Sequence, residues 1–212
     1  MQDFANADLI VIEGSNMAEA HPVAFQWVIE AKKRGARVIH VDPRFTRTSA
    51  NADRHIPIRS GTDIVLLGGV IRHVLENELF FKEYVQAYTN ASTIISEQFG
   101  DPEDLDGLFS GYDPESGTYD NGTWAYAGDA DSLARGLPER DETLQHPRTV
   151  FQILKRHYAR YTPQMVQDTC GISPEDFEHL ATAIAENSGR ERTTMFAYAL
   201  GWTQHQGGAQ MI

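Results

Sequence analysis

Cysteine is almost missing from these 212 residues: Cys170 stands alone, so a small fold stapled by disulfides is excluded. Long apolar runs are missing as well. The longest, Ile64 to Ile71, is far short of the roughly 20 residues that a spanning helix needs, and the first residues lack the basic-then-apolar order of a signal peptide. Positive charge is scarce, with 18 Lys and Arg against 30 Asp and Glu, a net charge of -12. The deficit is local. Thirteen acids between positions 97 and 142 face only Arg135 and Arg140, while the rest of the chain is near neutral. An acidic stretch repels phosphate backbones, so no nucleic-acid surface is expected, yet the near-neutral remainder can still bind a discrete anion. What the chain does have is 41% hydrophobic and 10% aromatic residues, enough for a sizeable core and too many for a disordered chain or a coiled coil. No repeat or low-complexity tract is visible.

The first forty-five residues predict a strand, a helix and a second strand. Leu9 to Glu13 is a short apolar run suited to a strand buried on both faces, and it leads into Gly14-Ser-Asn-Met-Ala-Glu-Ala-His-Pro22. A helix starting at Pro22 follows, with Val23, Trp27, Val28 and Ala31 on its apolar side and Gln26, Glu30 and Lys33 opposite; Gly35 stops it. Arg37 to Val41 is the next strand, and short joints of this kind imply parallel pairing. Pro57 makes Ile56 to Arg59 a short or edge strand. Ser60 or Asp63 then caps a helix whose buried stripe is Ile64, Leu67, Val70, Ile71 and Val74.

A further helix is expected around Phe80 to Tyr88. From Phe99 to Leu144 the pattern breaks into Gly, Asp, Ser, Tyr and Pro clusters. Tyr119, Trp124 and Tyr126 make this an ordered insertion rather than a linker, with a hairpin near Thr118 to Tyr126. Helical signals return over His146 to Tyr161, with Val150, Ile153, Leu154 and His157 on one face, and helix starts recur at Thr162-Pro163 and Ser173-Pro174. Thr194 to Leu200 is the last strand, broken at Gly201, and residues 207–212 read as the beginning of another helix. The expected organisation is one α/β domain over 1–212: a nucleotide-binding first part (1–96), an acidic insertion (97–145), and a helical return with the last strand (146–212). Both ends read as cut from something longer.

In an open parallel sheet, ligands bind beyond the carboxyl ends of the strands. Four loops qualify: 14–21, 42–46, 60–63 and 201–205. Gly14 and Gly61 let backbone amides approach a phosphate, Asn16 and Gln204 offer amides, Asp42 or Asp63 accepts from ribose or guanine donors, and Arg44 pairs with phosphate or stacks on a base. Only the first glycine of the dinucleotide fingerprint is present, so spacing alone identifies no cofactor. His21 and His40 suit core or capping roles better than metal ligation. Cys170, just before a helix start, suits a small buried hydrophobe, with a helix-activated thiolate as the alternative. The acidic insertion suits a solvated surface, with cation or basic-partner binding as the alternative.

The glycine-loop segment above, Val41-Asp-Pro-Arg-Phe-Thr-Arg-Thr48, Ala52-Asp53, Ile58-Arg-Ser-Gly-Thr-Asp63 and Ala199-Leu-Gly-Trp-Thr-Gln-His205 occur in the order seen in molybdopterin-dependent oxidoreductases. The intervening Glu83-Tyr-Val-Gln-Ala-Tyr-Thr-Asn-Ala-Ser92, Gly107-Leu-Phe-Ser-Gly-Tyr-Asp113 and Thr143-Leu-Gln-His-Pro-Arg148 make the chain similar to the major subunit of respiratory formate dehydrogenases. The resemblance covers essentially all of it.

The resemblance implies a Rossmann-like, mostly parallel α/β domain of the formate dehydrogenase and DMSO reductase type, binding one of the two molybdopterin guanine dinucleotides (bis-MGD) that hold Mo or W. Matched by motif, Gly14, Ser15, Asn16 and Glu19 would line the pyrophosphate and pterin approach. Asp42, Arg44, Phe45 and Thr46, with Gly61, Thr62 and Asp63, would hold the guanosine end, and Leu200, Gly201, Trp202 and Gln204 would meet the pterin side. The catalytic residues, the metal ligand and the cysteines of a 4Fe-4S cluster would lie outside residues 1–212, so no catalytic or metal-ligating residue is assigned here. Cys170 does not match the metal-ligand motif. The chain would oxidise formate only as part of a catalytic subunit, joined by an iron-sulfur electron-transfer subunit and a membrane cytochrome subunit. It would lie in the periplasm, held at the membrane through those partners without inserting itself, after export by a twin-arginine signal. A standalone guanine-nucleotide module, a nitrate reductase-like oxidoreductase and an acidic docking protein are the alternatives.

Overall fold

The computed structural model describes residues 1–208, and the helix read over 207–212 lies almost wholly outside them. Along the chain run β1 (Leu9–Glu13), α1 (Met17–Ala20), α2 (Pro22–Lys33), β2 (Arg37–Val41), α3 (Arg47–Asn51), β3 (Arg54–Ile56) and α4 (Asp63–Glu76). Then come α5 (Lys82–Tyr88), β4 (Tyr112–Asp113), β5 (Thr118–Tyr119), α6 (Ala130–Ala134) and α7 (Val150–Tyr158). The chain continues with α8 (Pro163–Cys170), α9 (Pro174–Glu186), β6 (Thr194–Tyr198) and α10 (Leu200–Thr203). These elements form two compact units, residues 1–79 with 161–212, and residues 80–160. Among the described residues, no helix is long and apolar enough to cross a membrane.

The first unit is built on a four-stranded sheet of order β3-β2-β1-β6, parallel throughout. β1 is central and buried along its whole length, which explains its unbroken apolar run. Its side chains alternate between two cores. Leu9 and Val11 pack with α4, α8 and α9, while Ile10 and Ile12 pack with α1 and α2 on the other face.

Several elements differ from the sequence expectation. The third strand is Arg54–Ile56 rather than Ile56 to Arg59, because Pro57 has no N–H to continue the ladder and ends it. In α2 the buried side is Ala24, Phe25, Val28 and Ala31, and Val23 faces solvent. In α4 the buried stripe is rotated to Val65, Leu66, Gly68, Gly69 and Val70, leaving Ile64 and Ile71 exposed. Gly69 carries this packing: a Cβ there would lie 2.6 Å from a Val166 methyl and 3.0 Å from the Phe177 ring, so it lets α8 and α9 come against the helix, while Gly68 makes room for the Tyr161 ring. Neither Ser60 nor Asp63 caps α4. Thr62 holds the cap position, but its hydroxyl donates back to the Arg59 carbonyl at 2.7 Å.

In the second unit, Thr93, Ile94 and Ile95 form isolated bridges to Arg140, Thr149 and Tyr126 respectively, and the acidic segment is pinned from within. Asp101, buried, pairs with Arg156 and lies 4.0 Å from Arg148; Glu103 pairs with His157 at 2.6 Å and with Arg160. The hairpin is β4 with β5, earlier and shorter than Thr118 to Tyr126, because Asp120 caps a separate turn over Asn121–Thr123. Thr149 caps α7, and Phe151 is its buried residue, with Leu154 exposed. Asp141 accepts from the Thr143 hydroxyl and from the backbone N–H groups of Thr143, Gln145 and His146, which hold its carboxyl at about 2.

Candidate functional site

The carboxyl ends of β1, β2 and β6 and the start of α4 meet around a narrow cleft of about 60 Å3 in the first unit. Gly14, Asp42, Pro43, Ile58, Ser60, Gly61, Asp63, Gly201 and His205 line it. One backbone contact sets its floor. The Gly201 N–H donates to the Gly14 carbonyl at 3.0 Å, and a Cβ on Gly201 would sit 2.4 Å from the Gly14 Cα and 2.6 Å from its oxygen. Gly14 also has φ of 60°. Only two glycines allow the chains to cross there.

The flanking loops are stitched by side chains. His40 is fully buried; its Nε2 lies 3.1 Å from the Ser15 carbonyl and its Nδ1 2.8 Å from the Ser49 hydroxyl. A carbonyl only accepts, so Nε2 carries the proton and Nδ1 accepts from Ser49, which itself accepts from the Thr46 N–H. Burial pushes the imidazole below its ordinary range, in keeping with this neutral form. His40 is therefore a structural hub. Asn16 donates to Glu19 at 2.5 Å and accepts from Thr48 at 3.0 Å, and Glu19 lies 3.4 Å from Arg47. The loop after β1 is thereby tied to α3.

Of the fifteen residues singled out from sequence, the cleft brings together Gly14, Asp42, Gly61, Asp63 and Gly201. Ser15 instead lines a separate hollow of about 250 Å3 with Met17, His21 and Tyr198. Asn16 and Glu19 are engaged in the stitching just described, Thr46 caps α3, and Thr62 is turned back to Arg59. Arg44 and Phe45 are exposed, Phe45 at 70% with its ring edge against His55. Leu200 and Gln204 are exposed outside the cleft lining, and Trp202 is buried, stacked on Tyr198 at 4.6 Å. His21 is exposed, and its side chain does not cap α2.

Ser60 and His205, in two of the loops read from sequence but not singled out as contacts, also line the cleft, and Glu13 beneath it escaped the sequence reading as a site residue. Glu13 is 1% exposed, and neither carboxylate oxygen has a hydrogen-bond donor. Burial, and then the charge of Asp63 beside it, push it well above the carboxylate range, opposed by the Trp202 indole N–H. Asp63 is raised too, chiefly by burial. A carboxylate ending a strand gave no signal, because only the tertiary fold sets the start of α4 against it.

Cys170 is the last residue of α8, not the lead-in to a helix N-terminus; it is fully buried, and its Sγ lies 3.4 Å from the Thr62 carbonyl. Burial raises its pKa, so the activated-thiolate alternative falls. In the native protein Cys170 is expected to resist iodoacetamide over a period in which the unfolded chain reacts completely; labelling at equal rates would contradict this burial. Among the described residues, no group of three or more His, Cys, Asp or Glu is placed to hold a metal ion.

The model of the molybdopterin oxidoreductase family matches residues 1–212. The chain belongs to the molybdopterin oxidoreductase family. It is 52% identical over 211 residues to the formate dehydrogenase-O major subunit of Escherichia coli (strain K12), covering 99% of this chain and 20% of that protein. The nitrate-inducible formate dehydrogenase major subunit of the same organism is 50% identical over the same length and coverage. The chain thus spans about a fifth of the curated relatives it matches. Among solved structures, acetylene hydratase from Pelobacter acetylenicus superposes with a TM-score of 0.57 at 19% identity, over 93% of this chain and 19% of that one, a likeness of fold. The parallel α/β sheet with flanking helices is the architecture expected of a molybdopterin oxidoreductase.

Proposed function

We propose that this chain is part of the catalytic subunit of a formate dehydrogenase, where it binds one of two molybdopterin guanine dinucleotides holding molybdenum or tungsten. The observation that carries the reading is the cleft: a glycine-on-glycine floor, the left-handed Gly61 and the carboxylates of Asp42 and Asp63 converge beyond the strand ends.

The residues suit the group. Gly14 and Gly201 pack backbone on backbone, which brings the loops after β1 and β6 together under the cleft, where their main-chain groups would face a pyrophosphate or pterin. Asn16 and Glu19 would act by fixing that loop rather than by reaching outward. Asp63 and Asp42 are acceptors suited to the N–H edge of guanine or to ribose hydroxyls, and the exposed Arg44 and Phe45 beside them offer a charge and an aromatic face. Thr46 and Thr62 would hold backbone at that end, with Leu200, Trp202 and Gln204 on the pterin side. The chemistry such a group would supply when bound is a two-electron acceptor for formate, which becomes carbon dioxide and a proton. The residues here bind and orient one arm of the cofactor and do not touch the reacting atoms, so the chain alone is inactive.

The 4Fe-4S cluster, an iron-sulfur electron-transfer subunit, a membrane cytochrome subunit and a periplasmic location belong to the same reading. Its test is the polypeptide that carries this chain, purified and analysed for molybdenum or tungsten, for guanosine monophosphate released on acid hydrolysis, and for formate-dependent dye reduction. All three are expected, with no dye reduction by the 212 residues alone. A polypeptide that reduces dye with formate yet releases no guanine nucleotide would overturn the cofactor assignment.

A further inference from the structure

Beneath the cleft lies a carboxyl with no ordinary reason to be there. Glu13 ends the central strand at 1% exposure, on the face of β1 that also carries Leu9 and Val11. Both of its oxygens are buried without a donor, and the indole N–H of Trp202 beside it is equally unsatisfied. Two polar groups lie within reach of Glu13: that indole N–H, and the carboxyl of Asp63, the first residue of α4, which lines the cleft. Two carboxylates make a hydrogen bond only when one carries the proton.

The surroundings decide which one. Asp63 lies in the first turn of α4, where the helix dipole favours an anion, its own backbone N–H is turned to its carboxylate, and His205 faces it across the cleft. Among the described residues no cation acts on Glu13: its neighbouring groups are Asp63, Trp202 and the Cys170 thiol, with Asp42 acting on Asp63 from the end of β2. The proton therefore stays on Glu13. We propose that Glu13 is a positioning residue: its buried acid group donates a hydrogen bond to Asp63 and holds that carboxylate oriented into the cleft as an acceptor for the ligand. This rests on the cleft binding guanine, and it ties ligand affinity to a proton that the ligand never touches.

The sign follows from the direction of the shift. A carboxyl raised in the fold is neutral at acidic pH and ionises only above its ordinary range. Once it does, Asp63 loses its donor, two like charges share a buried space, and the cleft becomes more negative toward a diphosphate.

The test uses the polypeptide carrying this chain, freed of cofactor, with GDP as the probe. Infrared spectra should contain a protonated-carboxyl band that is lost in Glu13→Gln. In the wild type, GDP affinity should fall by about tenfold, the worth of one charge-assisted hydrogen bond, with a midpoint at the pH where that band disappears. Glu13→Gln keeps a neutral donor, so it should bind GDP like the wild type at the acidic end and show no such fall. A Glu13→Gln profile that falls like the wild type, or wild-type spectra without the band, would overturn the proposal. GDP failing to bind with the band present would instead overturn the guanine reading, and the band itself would still place the proton on Glu13.

Discussion

Gly201→Ala is expected to lower stability by about 3 kcal/mol, at the top of the range for overpacked cores. The added Cβ would lie 2.4 Å from the Gly14 Cα and 2.6 Å from its carbonyl oxygen, and both obstacles are backbone of the central strand's exit. No side chain can swing aside. Relief requires β1 and β6 to separate at Glu13 and Tyr198, which are register partners, and that breaks the N–H to carbonyl bond from Gly201 to Gly14. Gly35→Ala is the control. Gly35 also has a positive φ, 98°, but nothing lies within 4 Å of its added Cβ, so it should cost only the backbone strain of about 1 kcal/mol. Chemical denaturation of both variants checks the contrast, and equal losses would show that the crossing is not tight.

Asp63→Asn is expected to weaken GDP binding about 30-fold, within the range for a hydrogen bond to a charged acceptor, while leaving the fold in place. The substitution preserves shape and removes a buried charge, so stability should hold or rise. Selectivity should suffer along with affinity. Guanine presents a row of N–H donors that a carboxylate accepts, whereas adenine presents a donor and an acceptor, so the preference for GDP over ADP should shrink in the variant. Calorimetric titration with both nucleotides measures this; unchanged selectivity would remove Asp63 from the base-binding role.

What was legible in the sequence had a local cause. Leu9 to Glu13 reads as a strand because burial on both faces needs no alternation, and Ser173 and Thr162 read as helix starts because their hydroxyls accept from residues three ahead. The loops carrying Gly14, Asp42, Gly61, Asp63 and Gly201 were found because turn residues follow strands, and the sheet then gathers them at one edge. What failed had a tertiary cause. The α4 stripe came out rotated because Gly68 and Gly69 contribute no hydrophobicity, yet they are where the Tyr161 ring, α8 and α9 make their approach. The face of α2 was misplaced at Val23 for a related reason: position 23 carries an apolar side chain, but the small Ala24 takes the core position. Glu13 was invisible as a site residue because its neighbours Asp63 and Trp202 are distant in sequence. Thr62 was read from its place in a motif, and the structure adds that its hydroxyl donates to the Arg59 carbonyl.

The loops also show why loop residues and cleft residues are different sets. Asn16, Glu19, Thr46 and Thr48 hold one another, and His40 ties Ser15 to Ser49. Such a network is satisfied before any ligand arrives, so its value is a loop already in place, which lowers the ordering cost of binding. Two of the groups left with unmet polar capacity, Glu13 and the Trp202 indole, lie next to cleft residues, Glu13 beside Asp63 and Trp202 after Gly201.

The most direct test of the central claim is a crystal structure of the polypeptide carrying this chain, purified with its cofactor. The account predicts a guanine dinucleotide arm along this sheet edge, with the base at Asp63 and Asp42 and the pyrophosphate over the crossing of Gly14 and Gly201. A cofactor seated elsewhere, with this cleft filled only by solvent, would contradict it.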